Sequence, residues 1–243
     1  RGNNYMKLLD DPRRPLFNRA VMSSYPPGST FKVVQGLIGL QEGVLVPEQT
    51  YPCHGGYPYG RGMACHEHYS PIGQGELGCT PLQMANMVAT VANRGHYRIP
   101  HVVKRIHDRD SIDARFYEDH HTKVDARHFD PIVEGMYKAV NEGGTGRIAM
   151  VPGLDICGKT GTAQNPHGAD HSTFFCFAPR NDPKIAVSVY VENGRFGATI
   201  AAPIASLLTE LYLTDTITRP ALVDYVKNMQ IAYPYYEKQR KGK

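Results

Sequence analysis

Ser29 and Lys32 are the first residues whose types and spacing predict chemistry. They lie three positions apart, so a helix that begins at Ser29 places both side chains on one face. The residues that follow are almost wholly apolar, and burial favours the neutral form of a lysine amine, which can take a proton from a nearby hydroxyl. A helix N-terminus favours negative charge at Ser29, and Gly28 allows a sharp backbone turn. The residues therefore predict a nucleophile with its base. The alternative is a capping serine beside a lysine that reaches solvent.

A second candidate segment is Gly158-Lys159-Thr160-Gly161-Thr162-Ala163. Its small residues suit an edge strand that lets a substrate backbone approach closely. Lys159 supplies a cation, and Thr160 and Thr162 supply hydroxyls for an anionic group. The alternative is an ordinary glycine-containing turn.

The same segment also matches a phosphate-binding loop, because the stretch from Gly153 to Thr160 fits the pattern G-x-x-x-x-G-K-[ST]. Such a loop requires a strand before it and a helix after it. The following Asn165-Pro166-His167-Gly168 would break that helix. We therefore favour the edge strand.

The elements that must position these residues are predicted from periodicity and capping. Residues 1–28 read as irregular because of four prolines, and Thr80-x-x-Gln83 is a capping box with Pro81 at the first helical position. The fold class expected is α+β, an antiparallel sheet flanked by helices. Helices are predicted over 29–40 and from Thr80, Asp130 and Pro203, and a strand hairpin over 172–178 and 185–191.

Length and composition exclude several classes of protein. The 243 residues suit one large or two small domains, and the net charge of +4 carries no dense basic stripe, so nucleic acid is not an expected partner. No run of about 18 apolar residues predicts a membrane span. The tail at 234–243 carries several basic residues, and we expect it to be disordered and solvated.

The pairing of S-x-x-K with a later K-T-G resembles the serine β-lactamase and penicillin-binding protein fold. Longer segments, in the right order along nearly the whole chain, resemble class B penicillin-binding proteins, and the segments after residue 170 look like the cell-elongation member. The segments are Tyr25–Lys32, Gly73–Leu77, Thr80–Ala85, Gly158–Gln164, Asp170–Ser172, Phe177–Pro179 and Val191–Gly194.

The resemblance implies a peptidoglycan D,D-transpeptidase that acts on stem peptides, with no metal or organic cofactor needed for catalysis. Ser29 would be the acylated nucleophile and Lys32 its base. Lys159 and Thr160 would orient the substrate, Gly161 would lie in the substrate-binding strand, and Thr162 would contact the terminal carboxylate. The backbone N–H groups of Ser29 and Thr162 would form the oxyanion hole.

The resemblance further implies that β-lactam antibiotics acylate the same serine. It implies a location in the bacterial cell envelope, at the periplasmic face of the inner membrane. There the native protein would be anchored and would work in an elongation complex, with an anchor that this chain does not contain.

The sequence departs from that family in one respect, because no S-x-N motif occurs anywhere in it. The join between Ile72 and Gly73 is the expected place of the loss, either through an internal deletion or through residues missing from the sequence. A contiguous chain would lack one wall of the active site, and we would then expect it to be inactive. Alternatives are a D,D-carboxypeptidase, a β-lactamase-like hydrolase, or a non-catalytic module that binds β-lactams or a partner.

Five cysteines are present, an odd number that forbids complete internal pairing. Cys53, Cys65 and His68 lie in one loop-rich stretch and could hold a structural zinc ion with a fourth ligand. A Cys53–Cys65 disulfide and a set of exposed polar residues are the alternatives. The other three cysteines are expected to pack as small core residues.

Overall fold

A computed structural model gives the architecture of the chain. The residues that it describes fall in six stretches: 2–49, 57–59, 62–64, 73–74, 77–107 and 112–231.

The central sheet has three antiparallel strands in the order β5-β6-β7. Gly161 of β5 pairs with Thr173 of β6, and Phe175 of β6 pairs with Ser188 of β7. The predicted hairpin is confirmed to within one residue, and the predicted edge strand is β5. The strands are β5 (Cys157–Ala163), β6 (His171–Ala178) and β7 (Ile185–Val191).

Strand β6 explains how the sheet separates two cores. Its residues from Phe174 to Ala178 are fully buried, so both faces of the strand are covered and the sequence reads as a continuous apolar run. Phe175 and Phe177 pack with residues of α3, α4 and α5, whereas Phe174 and Cys176 pack with α6. The helices are α3 (Lys32–Gln41), α4 (Pro81–Ala92), α5 (Phe129–Asn141) and α6 (Ala201–Thr214).

All four predicted helices are present, and the expected α+β class is confirmed. The capping box is complete, because Thr80 accepts from the Gln83 N–H and the Gln83 side chain accepts from the Thr80 N–H. A further helix, α7 (Pro220–Asn228), follows α6. Arg219, just before α7, forms an ion pair at 2.8 Å with the buried Glu210 of α6, which ties the two helices together.

The N-terminal segment differs from its prediction. It contains α1 (Gly2–Leu9), which ends before the first breaking proline, Pro12, and the short α2 (Arg19–Met22), which lies between Pro15 and Pro26. Two small two-stranded antiparallel sheets complete the described fold, and the expected tail at 234–243 lies outside the described residues. These sheets pair β1 (Tyr57–Tyr59) with β2 (Gly62–Ala64) and β3 (His96–Tyr97) with β4 (His120–His121).

Candidate active site

Ser29 lies in a 3₁₀ turn, Gly28–Phe31, that runs directly into α3. Lys32 is the first residue of α3, and its backbone N–H donates to the Ser29 carbonyl. The Thr30 hydroxyl donates to the Pro27 carbonyl at 2.6 Å and closes the turn. Ser29 and Lys32 are thus one helical turn apart, as their spacing predicts.

Two glycines allow this turn to pack directly on the edge of β5. Gly28 has a φ of +61°, and a Cβ there would lie 2.6 Å from the Thr162 carbonyl oxygen. A Cβ at Gly161 would lie 3.1 Å from the Thr30 backbone nitrogen and 2.6 Å from a methyl group of Thr173. Any side chain at either position would push the nucleophile turn away from the strand.

A cleft of about 840 Å³ opens where the turn meets the strand. Ser29 and all four residues from Lys159 to Thr162 line it. The structure therefore brings these five predicted residues together from positions about 130 residues apart. The other lining residues are Gly143, Gly144, Thr145, Arg147, Phe196, Gly197, Ala198, Thr199 and Tyr225.

The two lysines of the site differ in burial. Lys32 is exposed, so the expectation that it is buried is wrong; it directly precedes Val33, the first buried residue of α3. Lys159 is half-buried and donates to the Thr160 carbonyl at 2.9 Å. Burial lowers the pKa of Lys159 below its usual value, and the nearby charge of Lys32 lowers this pKa further.

Several lining residues carry no pattern that predicts them. The hydroxyl oxygens of Thr145 and Thr160 are 2.8 Å apart, which ties the loop after α5 to the strand. The Tyr225 hydroxyl of α7 donates to the Thr199 carbonyl at 2.9 Å. Gly143-Gly144-Thr145-Gly146 reads as a plain turn, and only three-dimensional contact places it in the cleft.

The phosphate-loop alternative is wrong. Gly158, Lys159 and Thr160 lie inside β5, paired with residues of β6, rather than in a loop that opens a helix. Their backbone N–H groups are therefore arranged along a strand and do not form a cradle around a phosphate.

The zinc and disulfide alternatives concern Cys53, Cys65 and His68, which lie outside the described residues. Within the described ranges, no group of three His, Cys, Asp or Glu side chains is placed to hold a metal ion. Cys157 and Cys176 are free and buried, as expected of core residues, and Cys79 is free and half-buried. Burial raises the pKa of Cys157 and of Cys176 to about 12 each.

The cleft combines a serine in a helical turn, a lysine one turn later, and an edge strand that carries lysine and threonine. This is the arrangement of a serine acyltransferase site on an α+β fold. The chain belongs to the penicillin-binding protein transpeptidase domain family, whose model matches residues 1–70 and 66–210. It is a class B transpeptidase-domain fragment.

The chain is similar to two curated proteins named peptidoglycan D,D-transpeptidase. PbpA of Mycolicibacterium smegmatis is 30% identical over 283 residues, covering 82% of this chain and 57% of the relative. MrdA of Acinetobacter baumannii is 26% identical over 314 residues, covering 89% of this chain and 46% of the relative. The chain thus spans about half the length of these relatives.

The fold is also similar to that of a solved structure, Pseudomonas aeruginosa PBP2 in complex with WCK 5153. The TM-score is 0.77 with 27% sequence identity, and the match covers 88% of this chain and 64% of that one. Among the described residues, no helix is both long and apolar enough to span a bilayer.

Proposed function

We propose that this chain is the catalytic part of a peptidoglycan D,D-transpeptidase that cross-links stem peptides through an acyl-enzyme on Ser29. The observation that carries the proposal is the direct packing of the Ser29 turn on the Lys159–Thr162 strand, with both lining one cleft. The names of the two curated relatives support it.

In the first step, the Ser29 hydroxyl attacks the carbonyl between the two terminal D-Ala residues of a stem peptide. The Lys32 amine, in its neutral form, takes the hydroxyl proton and passes it to the departing D-Ala amine. The Ser29 Oγ–C bond forms and the C–N bond breaks. In the second step, the amine of another stem peptide attacks the ester: the new C–N bond forms, the Oγ–C bond breaks, and the proton of the attacking amine returns to the Ser29 Oγ through Lys32, which regenerates Ser29 and completes the cross-link.

The strand side of the cleft positions the donor peptide. The Lys159 ammonium and the hydroxyls of Thr160 and Thr162 suit the terminal carboxylate, and the glycine at 161 keeps the strand surface low. The backbone N–H groups of Ser29 and Thr162 would stabilise the oxyanion, and such donors supply several kcal/mol of stabilisation (about 3 each). A β-lactam would acylate the same serine.

The native setting follows from the same proposal. A peptidoglycan enzyme works in the bacterial cell envelope, and we place the active site at the periplasmic face of the inner membrane. The native protein would be membrane-anchored and would work in an elongation complex, with stem peptides and β-lactams as its small partners. The similarity to the two curated peptidoglycan enzymes supports this setting.

A missing segment at the 72–73 join is also part of the proposal. The family model matches in two pieces that overlap at 66–70. The alignment to M. smegmatis PbpA is 283 residues long, whereas 82% of this 243-residue chain is far fewer, so the relative carries residues without a counterpart here. The absence of S-x-N fits a loss at this point.

The experiment is fluorescent-penicillin labelling of two proteins. One is the present chain, and the other is a chimera that carries the corresponding segment of M. smegmatis PbpA between Ile72 and Gly73. We expect stoichiometric labelling of the chimera, and labelling of the chain about 10²-fold slower or more because one wall of the cleft is absent. Ser29→Ala should abolish labelling in both.

Two outcomes would contradict the proposal: a folded chimera that takes no label, or a Ser29→Ala variant that keeps it. Nitrocefin distinguishes the chemical alternatives, because a hydrolase turns it over repeatedly whereas a transpeptidase stays acylated. Circular dichroism of each variant establishes that a loss of label reflects chemistry and not unfolding.

A further inference from the structure

Gln74 is a buried polar residue to which neither the sequence motifs nor the proposed mechanism gives a role. It is only 6% exposed. Its side-chain Nε2 donates to the Thr162 carbonyl at 2.8 Å, and its Oε1 accepts from the Gln164 N–H at 3.1 Å. One side-chain amide thus pairs with two backbone groups, one in β5 and one just after its end, as the peptide of a neighbouring strand would.

The neighbouring glycine, Gly73, connects the same segment to the nucleophile turn. The Gly73 carbonyl accepts from the Gly28 N–H at 2.7 Å, immediately before the nucleophile. Gly73 has a φ of +74°, and a Cβ there would collide with the Gly28 carbonyl and with Phe31. The dipeptide Gly73-Gln74 therefore bonds to the nucleophile turn through its backbone and to the substrate strand through its side chain.

These contacts affect the proposed oxyanion hole because they connect the two elements that carry its donors. Its two proposed donors are the N–H groups of Ser29 and Thr162, one on each of the elements that Gly73-Gln74 joins. Gln74 fixes the peptide units on either side of residue 163, the first of which follows Thr162 directly. A small rotation of these units would move the Thr162 N–H relative to Ser29, and oxyanion stabilisation depends on donor positions to within a few tenths of an ångström (about 2.7–3.1 Å).

We propose that Gln74 is a positioning residue for acylation, which sets the distance between the Ser29 and Thr162 N–H groups by joining the nucleophile turn to β5. This inference rests on the proposed function. A buried glutamine with only a packing role would also need hydrogen-bond partners, but these partners could belong to any part of the fold. Here one partner, Thr162, lies on the strand that carries the substrate-binding residues, and the other, Gln164, directly follows that strand.

The kinetic test compares Gln74→Leu with Gln83→Leu, a matched control that also removes side-chain hydrogen bonding to a backbone N–H. Gln83 belongs to the α4 capping box, away from the cleft. Penicillin acylation is resolved into the affinity of the first complex and the rate constant of acylation. We expect Gln74→Leu to lower the acylation rate constant about 100-fold with the affinity little changed. Gln83→Leu should lower only the melting temperature.

A second variant, Gln74→Glu, adds a pH signature. An ionised carboxylate keeps the acceptor for the Gln164 N–H but repels the Thr162 carbonyl, whereas a protonated one donates to it. The acylation rate of Gln74→Glu, taken relative to the unmodified protein at each pH, should therefore recover as the pH falls. Gln74→Leu should show no such recovery. A packing role alone predicts neither difference.

A measurement on the unacylated 243-residue chain separates this inference from the proposed function. In ¹⁵N NMR spectra, Gln74→Leu should speed hydrogen exchange of the Gln164 amide and shift the Ser29 and Thr162 amide resonances. If the folded chimera takes no label, the proposed function fails, and the NMR result alone decides the inference. Unchanged Ser29 and Thr162 amides, or an unchanged acylation rate constant in a folded Gln74→Leu variant, would overturn it.

Discussion

The two walls of the cleft are built in different ways. The strand wall, residues 159–162 of β5, is supported by three contacts: β6 pairs with it, Thr145 forms a hydrogen bond with Thr160, and Gly197 packs against Gly161. The helix wall, the turn 28–31 with Lys32, touches that strand but leaves Lys32 exposed.

This difference between the walls corresponds to a difference in their proposed roles: the strand wall would orient the substrate, and the helix wall would carry the nucleophile and its base. The strand wall inherits its rigidity from the buried sheet, so its lysine is held half-buried with an altered pKa. The helix wall supplies the nucleophile, but no Ser-x-Asn motif exists in the sequence to cover its lysine. Under the proposed function, the part of the cleft that would position the substrate is therefore more complete in this chain than the part that would transfer the proton.

The largest expected effect tests how tightly the strand wall is packed. A Cβ at Gly197 would lie 2.5 Å from the Gly161 carbonyl oxygen and 2.8 Å from its nitrogen, and would also collide with the Thr173 carbonyl. Backbone atoms in a paired strand have little room to move, so Gly197→Ala should lower the free energy of unfolding by about 1–3 kcal/mol. Urea denaturation measures it.

Gly135→Ala is the matched control for this substitution. Gly135 lies inside α5, and a Cβ there meets no atom within 4 Å. Alanine in an open helical position should raise stability by about 0.5–1 kcal/mol. If Gly197→Ala proved as harmless as Gly135→Ala, the tight support of the strand wall would be disproved.

The next effect concerns a single hydrogen bond on the same wall. Thr145→Val removes the partner of the Thr160 hydroxyl, and the loss of one exposed hydrogen bond is worth about 1 kcal/mol. Thr160 should then sample more rotamers, and penicillin acylation should slow by roughly three- to tenfold. Stopped-flow labelling measures this rate.

Thr145→Ser supplies the control for that prediction. Serine keeps the hydroxyl and loses only a methyl group, so acylation should return close to its original rate. A serine variant as slow as the valine variant would show that the methyl group, and not the hydrogen bond, supports Thr160.

Local signals explain what could be predicted of this fold. The capping box at Thr80, the alternation in β7 and the turn between 178 and 185 depend on neighbours within a few residues, and each element lies where its pattern indicates. The S-x-x-K and K-T-G segments were likewise identifiable because each is short and contiguous. Their contact across the cleft was expected from the resemblance.

Long-range packing explains what could not be predicted. Thr145 and Tyr225 enter the cleft through contacts with Thr160 and Thr199, and no local pattern announces such a partner. The exposure of Lys32 is unpredicted for a similar reason. An apolar helix after Lys32 indicates a buried face but does not say whether residue 32 itself lies on it.

The smallest expected effect concerns the electrostatic interaction between the lysines of the two walls, Lys32 and Lys159. Lys32→Gln removes a positive charge near Lys159, which makes protonation of Lys159 easier, so the pKa of Lys159 should rise. Burial is the larger cause of the shift and is unaffected, so this pKa should remain below the usual lysine value. A ¹³Cε NMR titration of Lys159 measures it, with Lys138→Gln, at an exposed ion pair on α5, as the control that leaves it unchanged.

The same shift fixes the sign of a stability effect. Because the pKa of Lys159 is lower in the folded than in the unfolded chain, the unfolded chain binds more protons between the two values, and the free energy of unfolding contributed by Lys159 rises with pH across that window. In Lys32→Gln the folded-state pKa of Lys159 should lie closer to its unfolded-state value, so the free energy of unfolding should rise less with pH. If the pKa of Lys159 falls or stays constant in Lys32→Gln, the charge of Lys32 does not lower the pKa of Lys159. The two walls of the cleft would then have no electrostatic interaction through these two amines.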